Sequence, residues 1–420
     1  MAAYVDTAGP LILLGAAPAI WFAGLPGGFA LTLLPLILVM RRAVGLPVGL
    51  RGTDGLVIAC ALWIWVTALA VRDWHTAAPK LFGVLLGLSV VYVFGSDPIS
   101  AARLRTQWLG LAVGITSFVV LAALILTEWP QRKLLPLDGI YAVLPAGPRV
   151  VDHGGRTGGI GPNQIGGALA LLAPLGLALS LDESGSGRNV RRLAAVTLAL
   201  AITVLLLTQS RSAYVGALLG LTLVGWWRIG HSAWLRRRPM GRTALHVALG
   251  LGLLLLMAAV ASTWLAPLDS TTDTLTGRLR IWTAGVLLIG EYLYTGVGPG
   301  QFPLVLKAAF PDIGASVAPH IPHAHNFVLQ ALLDLGLPGS FFLGLLIALV
   351  VRGLILTARD SSDSSLQLLA VGLAGSLLAF FVYGLTDTIA PGARGGLPFW
   401  LILGLGLACG RLPRETQVTE

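Results

Sequence analysis

The sequence predicts an all-α, polytopic integral membrane protein with about twelve transmembrane helices. More than half of its 420 residues are hydrophobic, only 11% are charged, and the mean hydropathy is +0.82. A soluble domain of this length is about a quarter charged, and no soluble core could bury so much apolar chain. Apolar runs also recur along the whole chain, so lipid rather than water is the expected surrounding of most of it.

Twelve apolar runs reach or approach the roughly 20 residues that a helix needs to cross a bilayer. They begin around residues 9, 28, 55, 80, 107, 161, 193, 212, 244, 326, 365 and 397. The first two are separated only by Leu25-Pro26-Gly27-Gly28, which predicts a tight hairpin between them. We treat residues 1–420 as a single membrane domain.

The positive charge of the chain predicts its orientation. The net charge is +9, but the arginines stand in short clusters between apolar runs, which is typical of a membrane protein and excludes nucleic acid as the expected partner. With a cytoplasmic N-terminus, 17 of the 28 lysines and arginines fall in inner loops: Arg41, Arg42, Arg51, Arg103, Arg105, Arg188, Arg191, Arg192, Arg228, Arg236, Arg237, Arg238, Arg242, Arg352, Arg359, Arg411 and Arg414. The bias predicts that both termini are cytoplasmic.

Two long loops, residues 128–160 and 266–325, then lie on the outer side. Loops of this length in a compact membrane protein are usually functional. Within the second loop, Ile281 to Tyr294 is apolar enough to form an amphipathic helix in the membrane interface, with Trp282, Tyr292 and Tyr294 as anchors at headgroup level. The glycines of 296–300 are expected to end it.

Arginines on the outer side are candidates for binding an anionic substrate. Arg211 lies between two apolar spans with almost no turn between them, flanked by Gln209, Ser210 and Ser212. A guanidinium is always charged, and its planar fork matches phosphate oxygens. Arg278 and Arg280 are two residues apart, so on a helix they face different directions and only one is expected to reach a site. The other is expected to meet lipid headgroups.

His325 is the strongest candidate for proton transfer, because an imidazole titrates near neutral pH. Asn326 is a candidate N-cap of the span that follows. His320 and His323 could complete a metal triad by number, but the intervening prolines and the lack of a nearby acid argue against it, and we expect no metal. Asn163 and Gln164, at the mouth of the sixth span, and Asp387, just outside the eleventh, are further possible site residues. No Asp-x-Asp pair is present in the sequence.

These motifs occur in a particular order: Gly161-Pro162-Asn163-Gln164, Ser210-Arg211-Ser212, Gly277-Arg278 to Trp282, Gly296-Val297-Gly298-Pro299-Gly300, His325-Asn326 with Leu329-Gln330, and Gly336-Leu337-Pro338-Gly339. The ordered set resembles the O-antigen ligase and O-antigen polymerase-like superfamily, most closely the lipopolysaccharide O-antigen ligases. The resemblance covers residues 155–345 by motif and the whole chain by topology.

The resemblance implies a membrane glycosyltransferase of the bacterial inner membrane with a periplasmic active site. It would transfer O-antigen polysaccharide from undecaprenyl pyrophosphate to the lipid A–core oligosaccharide, by an inverting reaction without metal or cofactor. Arg211 and Arg278 match the arginines that would bind the pyrophosphate. His325 matches the histidine that would activate the acceptor hydroxyl.

Three alternatives stay open. Within the enzymes, the acceptor could be a second lipid-linked unit, as in an O-antigen polymerase, or a protein such as pilin, as in a protein O-oligosaccharyltransferase. A transporter of lipid-linked glycan is the alternative from a different class. Transporters place ionisable residues near the bilayer midplane and often contain internal repeats, and the sequence has few of the former and no evident repeat. The oligomeric state is not predicted.

Overall fold

Long apolar helices make up most of the structure. The computed structural model describes residues 43, 52–95, 101–127, 129, 137–144, 150–151, 157–158, 160–231, 275–316 and 323–411. Within these ranges, eight helices are long and apolar enough to cross a membrane, and Leu397–Gly410 is a shorter apolar helix. The predicted all-α, polytopic membrane class is confirmed. Nine of the twelve predicted runs correspond to these helices, whereas those near residues 9, 28 and 244 lie outside the described residues.

The helices are numbered here in chain order. They are α1 Gly52–Thr67, α2 Trp74–Gly95, α3 Ala101–Leu109, α4 Thr116–Leu126, α5 Asp138–Tyr141, α6 Pro162–Ser180, α7 Arg188–Leu207, α8 Arg211–Gly230, α9 Leu275–Glu291, α10 Phe302–Ala309, α11 Pro311–Ser316, α12 Phe327–Asp360, α13 Ser364–Gly384 and α14 Leu397–Gly410. A π-helical segment, Gly110–Ile115, joins α3 to α4, and 3-10 turns occupy Ala68–Ala70 and Arg394–Gly396. Two short antiparallel strands, β1 Val150–Val151 and β2 Thr157–Gly158, lie in the first of the two long loops.

The core of the structure is formed by α6, α8 and α13, which pack against one another. Beside them, α14 packs against both α2 and α12. Glycines allow α8 and α13 to approach closely. A Cβ on Gly220 would lie 2.5 Å from the carbonyl oxygen of Gly375, and a Cβ on Gly375 would lie 2.8 Å from that of Gly220. Small residues at helix contacts are typical of membrane proteins, because van der Waals packing replaces the hydrophobic effect as the driving force there. The N-terminal ends of α6 and α8 and the C-terminal end of α13 meet at one end of this group, which we call the site end.

The helix α12 is broken near the site end. Its 34 residues would extend about 51 Å at 1.5 Å per residue, longer than a bilayer core. Gly336 interrupts it with a φ of 66° and a ψ of −177°. The break leaves backbone groups that other residues satisfy: the Leu333 carbonyl accepts from Val297 N–H, and the Leu335 carbonyl accepts from the Trp63 indole. Residues 327–335 therefore form a short segment at the site end, distinct from the membrane-spanning segment 337–360.

The helix predicted at Ile281–Tyr294 exists but has different bounds. The observed α9, Leu275–Glu291, begins six residues earlier and packs against α12. The prediction began where the apolar run begins, and it left out the turn that contains Arg278 because charged residues flank that run. After α9, Gly296, Gly298 and Gly300 all have positive φ angles, so this segment is non-helical as predicted. Gln301 then fixes it to the turn between α1 and α2 by accepting from the N–H groups of Arg72 and Asp73.

Candidate active site

A buried carboxylate at the site end, Asp387, collects side chains from several parts of the chain. It follows α13, and its side chain is 1% exposed. Its Oδ2 accepts from Asn163 Nδ2 at 2.9 Å and lies 3.9 Å from Arg278 Nη2. Its Oδ1 accepts from Thr388 N–H at 2.8 Å and lies 3.3 Å from His325 Nδ1. The start of α6, the first turns of α9 and the loop before α12 therefore converge on one carboxylate.

The loop before α12 brings two histidines to this carboxylate. His323 Nε2 lies 3.9 Å from Asp387 Oδ1, and the two imidazole centroids are 4.3 Å apart. His325 has a φ of 51°. Left-handed backbone is uncommon for residues other than glycine and is often found at functional sites. Among the described residues, Gln209 is the other non-glycine with positive φ, at 49°, and it lies two positions before Arg211.

Burial and neighbouring charges shift the pKa values of His323 and Asp387. Burial, followed by the charge of His325, lowers the pKa of His323 to about 3, so this imidazole is neutral at neutral pH. Burial alone would raise the pKa of Asp387. The contact with His325, the charge of that imidazole when it is protonated and the Arg278 guanidinium outweigh that effect and hold the pKa of this carboxyl well below its usual value. Asp387 is therefore ionised throughout the physiological range.

Two asparagines hold the loops of the site in place. Asn326 caps α12 as predicted, since its Oδ1 accepts from Leu329 N–H at 2.9 Å. Its Nδ2 also donates to the Leu385 carbonyl at 3.0 Å, which fastens the histidine loop to the chain just before Asp387. Asn163 contacts Asp387 directly, and its own carbonyl accepts from the Tyr383 hydroxyl at 3.0 Å. Both residues fix the geometry around the carboxylate.

The two arginines of α9 differ in burial, in keeping with their spacing. Arg278 is 6% exposed and reaches the Asp387 carboxylate, whereas Arg280 is exposed. Trp282, one turn after Arg278, also faces inward: its indole Nε1 donates to the Ala324 carbonyl at 3.0 Å. The polar atom of this indole is therefore used inside the protein and is not free for lipid headgroups.

Arg211 begins α8 at the same end of the helix group. The preceding Ser210 lies beside Gly166, in the first turns of α6, where a Cβ on the glycine would be 3.0 Å from the Ser210 Cβ. Gln209 donates from Nε2 to the Tyr141 hydroxyl at 2.7 Å, and that hydroxyl donates to the Leu207 carbonyl at 2.8 Å. The turn before Arg211 is thus held by α5, in the first of the two long loops. Gln164 is half-buried in the first turn of α6.

The side chains of His323, His325 and Asp387 are close enough to be considered as metal ligands, with ligand atoms within 4.8 Å of one another. The hydrogen bonding does not fit that use. His323 Nδ1 accepts from His325 N–H at 3.2 Å, so the neutral imidazole keeps its proton on Nε2, the atom that faces Asp387. Only two lone-pair donors then remain, with the Arg278 cation beside them. This arrangement suits an ion pair and proton transfer better than a divalent cation.

Two residues have a more central place than the sequence indicated. From the sequence, His323 was considered only as part of a metal triad that was rejected, but the residue is buried against His325 and near Asp387. The statement that no acid lies near these histidines was wrong: Asp387 is near in space although 62 positions from His325 in sequence. The sequence signal available was a single aspartate directly after an apolar span. His320 lies outside the described residues.

Comparison with known protein families gives a match that covers part of the candidate site. A family model described as O-antigen ligase matches residues 196–344, less than half of the chain. No curated protein matches the chain. The matched segment includes Arg211, Arg278 and His325, whereas Asn163 and Asp387 lie outside it. The match supports the resemblance seen in the sequence and identifies residues 196–344 as an O-antigen ligase-like region of a polytopic membrane protein.

Proposed function

We propose that this protein is an O-antigen ligase of the bacterial inner membrane. It transfers O-antigen polysaccharide from undecaprenyl pyrophosphate to lipid A–core oligosaccharide on the periplasmic face. The observation that carries this proposal is the contact of a buried, ionised Asp387 with both His325 and Arg278, inside a chain with an O-antigen ligase-like region. A base and a phosphate-binding cation then stand next to each other, as this reaction requires.

The His325–Asp387 contact supplies the base. The carboxylate favours a proton on the nearby Nδ1, which leaves the Nε2 lone pair free to accept a proton. As the acceptor sugar hydroxyl attacks the anomeric carbon of the donor, its proton moves to Nε2. A bond forms between the hydroxyl oxygen and the anomeric carbon, and the bond from that carbon to the pyrophosphate oxygen breaks. One displacement inverts the anomeric centre.

The arginines act on the leaving group. Undecaprenyl pyrophosphate leaves with the bonding electron pair, so negative charge grows on its phosphate oxygens in the transition state. Preorganised cations in a water-poor site stabilise such charge strongly. Arg278 is buried beside the base, and Arg211 lies at the same end of the helix group, at the start of α8. We assign both to the pyrophosphate. Their joint charge removes the need for a metal ion.

The acceptor is tested with purified protein in lipid nanodiscs. Undecaprenyl-pyrophosphate-linked glycan is supplied with lipid A–core, with a second lipid-linked glycan, or with pilin, and the glycosylated product is measured. Product on lipid A–core alone is expected. The family match also fits a polymerase, so extension of the lipid-linked glycan instead would reassign the chain to O-antigen polymerase. Product on pilin would reassign it to a protein O-oligosaccharyltransferase.

A transporter of lipid-linked glycan is distinguished by its response to the site variants. If the proposal holds, Arg211→Ala and His325→Ala abolish glycan transfer. Intact transfer in both variants, together with loss of lipid-linked glycan movement across proteoliposomes, would overturn the enzymatic proposal. The exposed Arg280 offers a matched control: Arg280→Ala removes the same charge from α9 and is expected to keep transfer near the wild-type rate.

A further inference from the structure

The left-handed backbone of His325 needs contacts that hold it, since a non-glycine residue adopts this conformation only where its surroundings enforce it. The neighbouring Ala324 is fully buried. Its N–H donates to Gln330 Oε1 at 2.7 Å, and its carbonyl accepts from Trp282 Nε1 at 3.0 Å. The carbonyl belongs to the peptide group that enters His325. Side chains from two helices therefore fix the peptide groups on both sides of Ala324.

Each of these side chains is well placed to act as a fixed support. Gln330 stands in the first turn of α12, where its N–H donates to the Asn326 carbonyl at 2.9 Å, and it is 1% exposed. Trp282 follows Arg278 by four residues on α9, so the two side chains share one face of that helix. One helix thus carries both the cation beside Asp387 and the indole that holds the histidine loop.

We propose that Trp282 and Gln330 are positioning residues that clamp the Ala324 peptide groups and so direct the His325 imidazole at Asp387. The inference rests on the proposed function for its kinetic readout, but not for its structural one. Through α9, the clamp also keeps the histidine in register with Arg278. The indole and amide remain within the protein and act on the reaction only through His325.

The kinetic test uses Trp282→Phe and Gln330→Met, which remove the hydrogen-bonding atoms. Methionine keeps the length of glutamine, and phenylalanine keeps an aromatic ring but is smaller than the indole. A base displaced by about 1 Å reacts roughly 100-fold more slowly, so kcat should fall by about 10- to 100-fold. The KM for lipid-linked glycan should stay within about twofold, because the arginines are untouched. Trp108→Phe is the matched control, since its buried indole also donates to a backbone carbonyl, that of Leu175. It should leave kcat unchanged.

A double variant separates positioning from general stability. In an Asp387→Asn background the His325–Asp387 contact is already lost, so adding Trp282→Phe should lower kcat by less than about twofold further. Full additivity of the two losses would mean that Trp282 does not act through this contact, and would overturn the inference. A KM that rises as much as kcat falls would do the same.

A structural measurement decides the inference independently of activity. In a cryo-EM structure of Trp282→Phe, His325 should leave its left-handed conformation, and the distance from Nδ1 to Asp387 Oδ1 should exceed the 3.3 Å of the native chain. If His325 kept its native conformation in this variant, the clamp would be overturned, whether or not the variant transfers glycan. A moved His325 in a protein that transfers no glycan to any acceptor would instead support the clamp and reject the proposed function.

Discussion

His325 Nδ1 lies 3.3 Å from Asp387 Oδ1, and this contact joins the loop before α12 to the loop after α13. Asn326 reinforces the same junction by donating to the Leu385 carbonyl. The two loops are therefore fastened both through backbone and through side chains. Because the carboxylate also contacts Arg278, a change at Asp387 should affect the base and the cation at once.

The first prediction concerns the charge of Asp387. Asp387→Asn keeps the shape of the side chain but removes the negative charge that favours a proton on His325 Nδ1. The kcat for glycan transfer should fall by about 100-fold or more, in the range typical of a lost general base. Asn163→Ala, which removes one hydrogen bond to the same carboxylate, should cause a smaller loss. Initial rates with lipid A–core as acceptor provide the measurement, and equal losses would contradict a role of the charge itself.

The second prediction compares the two arginines of α9. Arg278→Ala should lower kcat/KM by about 100- to 1000-fold, because a buried cation next to the reacting groups is lost. Arg278→Lys should recover only part of this loss, since an ammonium lacks the planar fork of guanidinium. Arg280→Ala is the matched control and should change kcat/KM by less than about threefold. Similar losses at Arg278 and Arg280 would show that burial does not distinguish their roles.

The third prediction concerns the pH dependence of stability. Burial lowers the pKa of His323 to about 3, whereas an unfolded histidine titrates near 6.5. Between these values the unfolded chain binds a proton that the folded chain excludes, so stability falls as the pH drops below 6.5. The expected loss is up to about 1.4 kcal/mol per pH unit. The Asp387 pKa is also lowered, but its contribution is lost only below the ordinary carboxyl range, near pH 4.

Thermal unfolding in detergent between pH 7 and pH 5 tests this prediction. His323→Asn should flatten the pH dependence, because asparagine keeps an acceptor for His325 N–H but does not titrate. His231→Gln, at an exposed position, should leave the dependence as it is in the wild type. A wild-type melting temperature that does not change between these pH values would contradict a buried neutral His323.

The membrane fold was predictable from the sequence because hydropathy alone identifies spans. Nine of the predicted runs became helices, and the bounds of α6, α8, α12 and α13 fall close to where the apolar runs begin. The break in α12 was not predicted. Gly336-Leu337-Pro338-Gly339 contains the signal, but a break also depends on Val297 and Trp63, which satisfy the freed carbonyls from distant segments. Such long-range compensation leaves no local pattern in the sequence.

Several residues of the candidate site could be predicted from the sequence, whereas the contacts between them could not. His325, Asn326, Asn163 and Arg278 could be named from the chemistry of their side chains and from the ordered motifs that contain them. Asp387 was only a possible member, since its contact with His325 depends on the approach of two loops far apart in the chain. The hydrogen bond of Trp282 was missed for a related reason: a tryptophan near an apolar run is usually an interfacial anchor, and only packing reveals its bond to Ala324.

The fourth prediction concerns metal ions. Because His323 Nδ1 accepts a hydrogen bond, the cluster of two histidines and Asp387 lacks a third lone-pair donor. Glycan transfer should therefore be unchanged by dialysis against EDTA. Adding back Mg²⁺, Mn²⁺ or Zn²⁺ to the dialysed protein should not raise the rate. Loss of transfer on chelation, with recovery on adding one of these ions, would contradict the assignment of the pyrophosphate charge to Arg211 and Arg278.

The fifth prediction concerns the break in α12. Gly336 has a φ of 66°, and a Cβ there would lie 1.9 Å from the Tyr294 carbonyl oxygen. Gly336→Ala should destabilise the protein by about 2 kcal/mol or more, from left-handed strain and from displacement of the backbone at Tyr294. Gly344, in the regular part of the same helix, has nothing within 4 Å of its added Cβ. Gly344→Ala should be neutral or stabilising by up to about 1 kcal/mol.

Thermal unfolding and glycan transfer together test the break. Because the segment 327–335 carries the cap and the Gln330 side chain that hold the histidine loop, Gly336→Ala should also lower kcat, whereas Gly344→Ala should not. If both variants had the same melting temperature and the same kcat as the wild type, α12 would tolerate a continuous helix through Gly336. The short segment at the site end would then not depend on the break for its position.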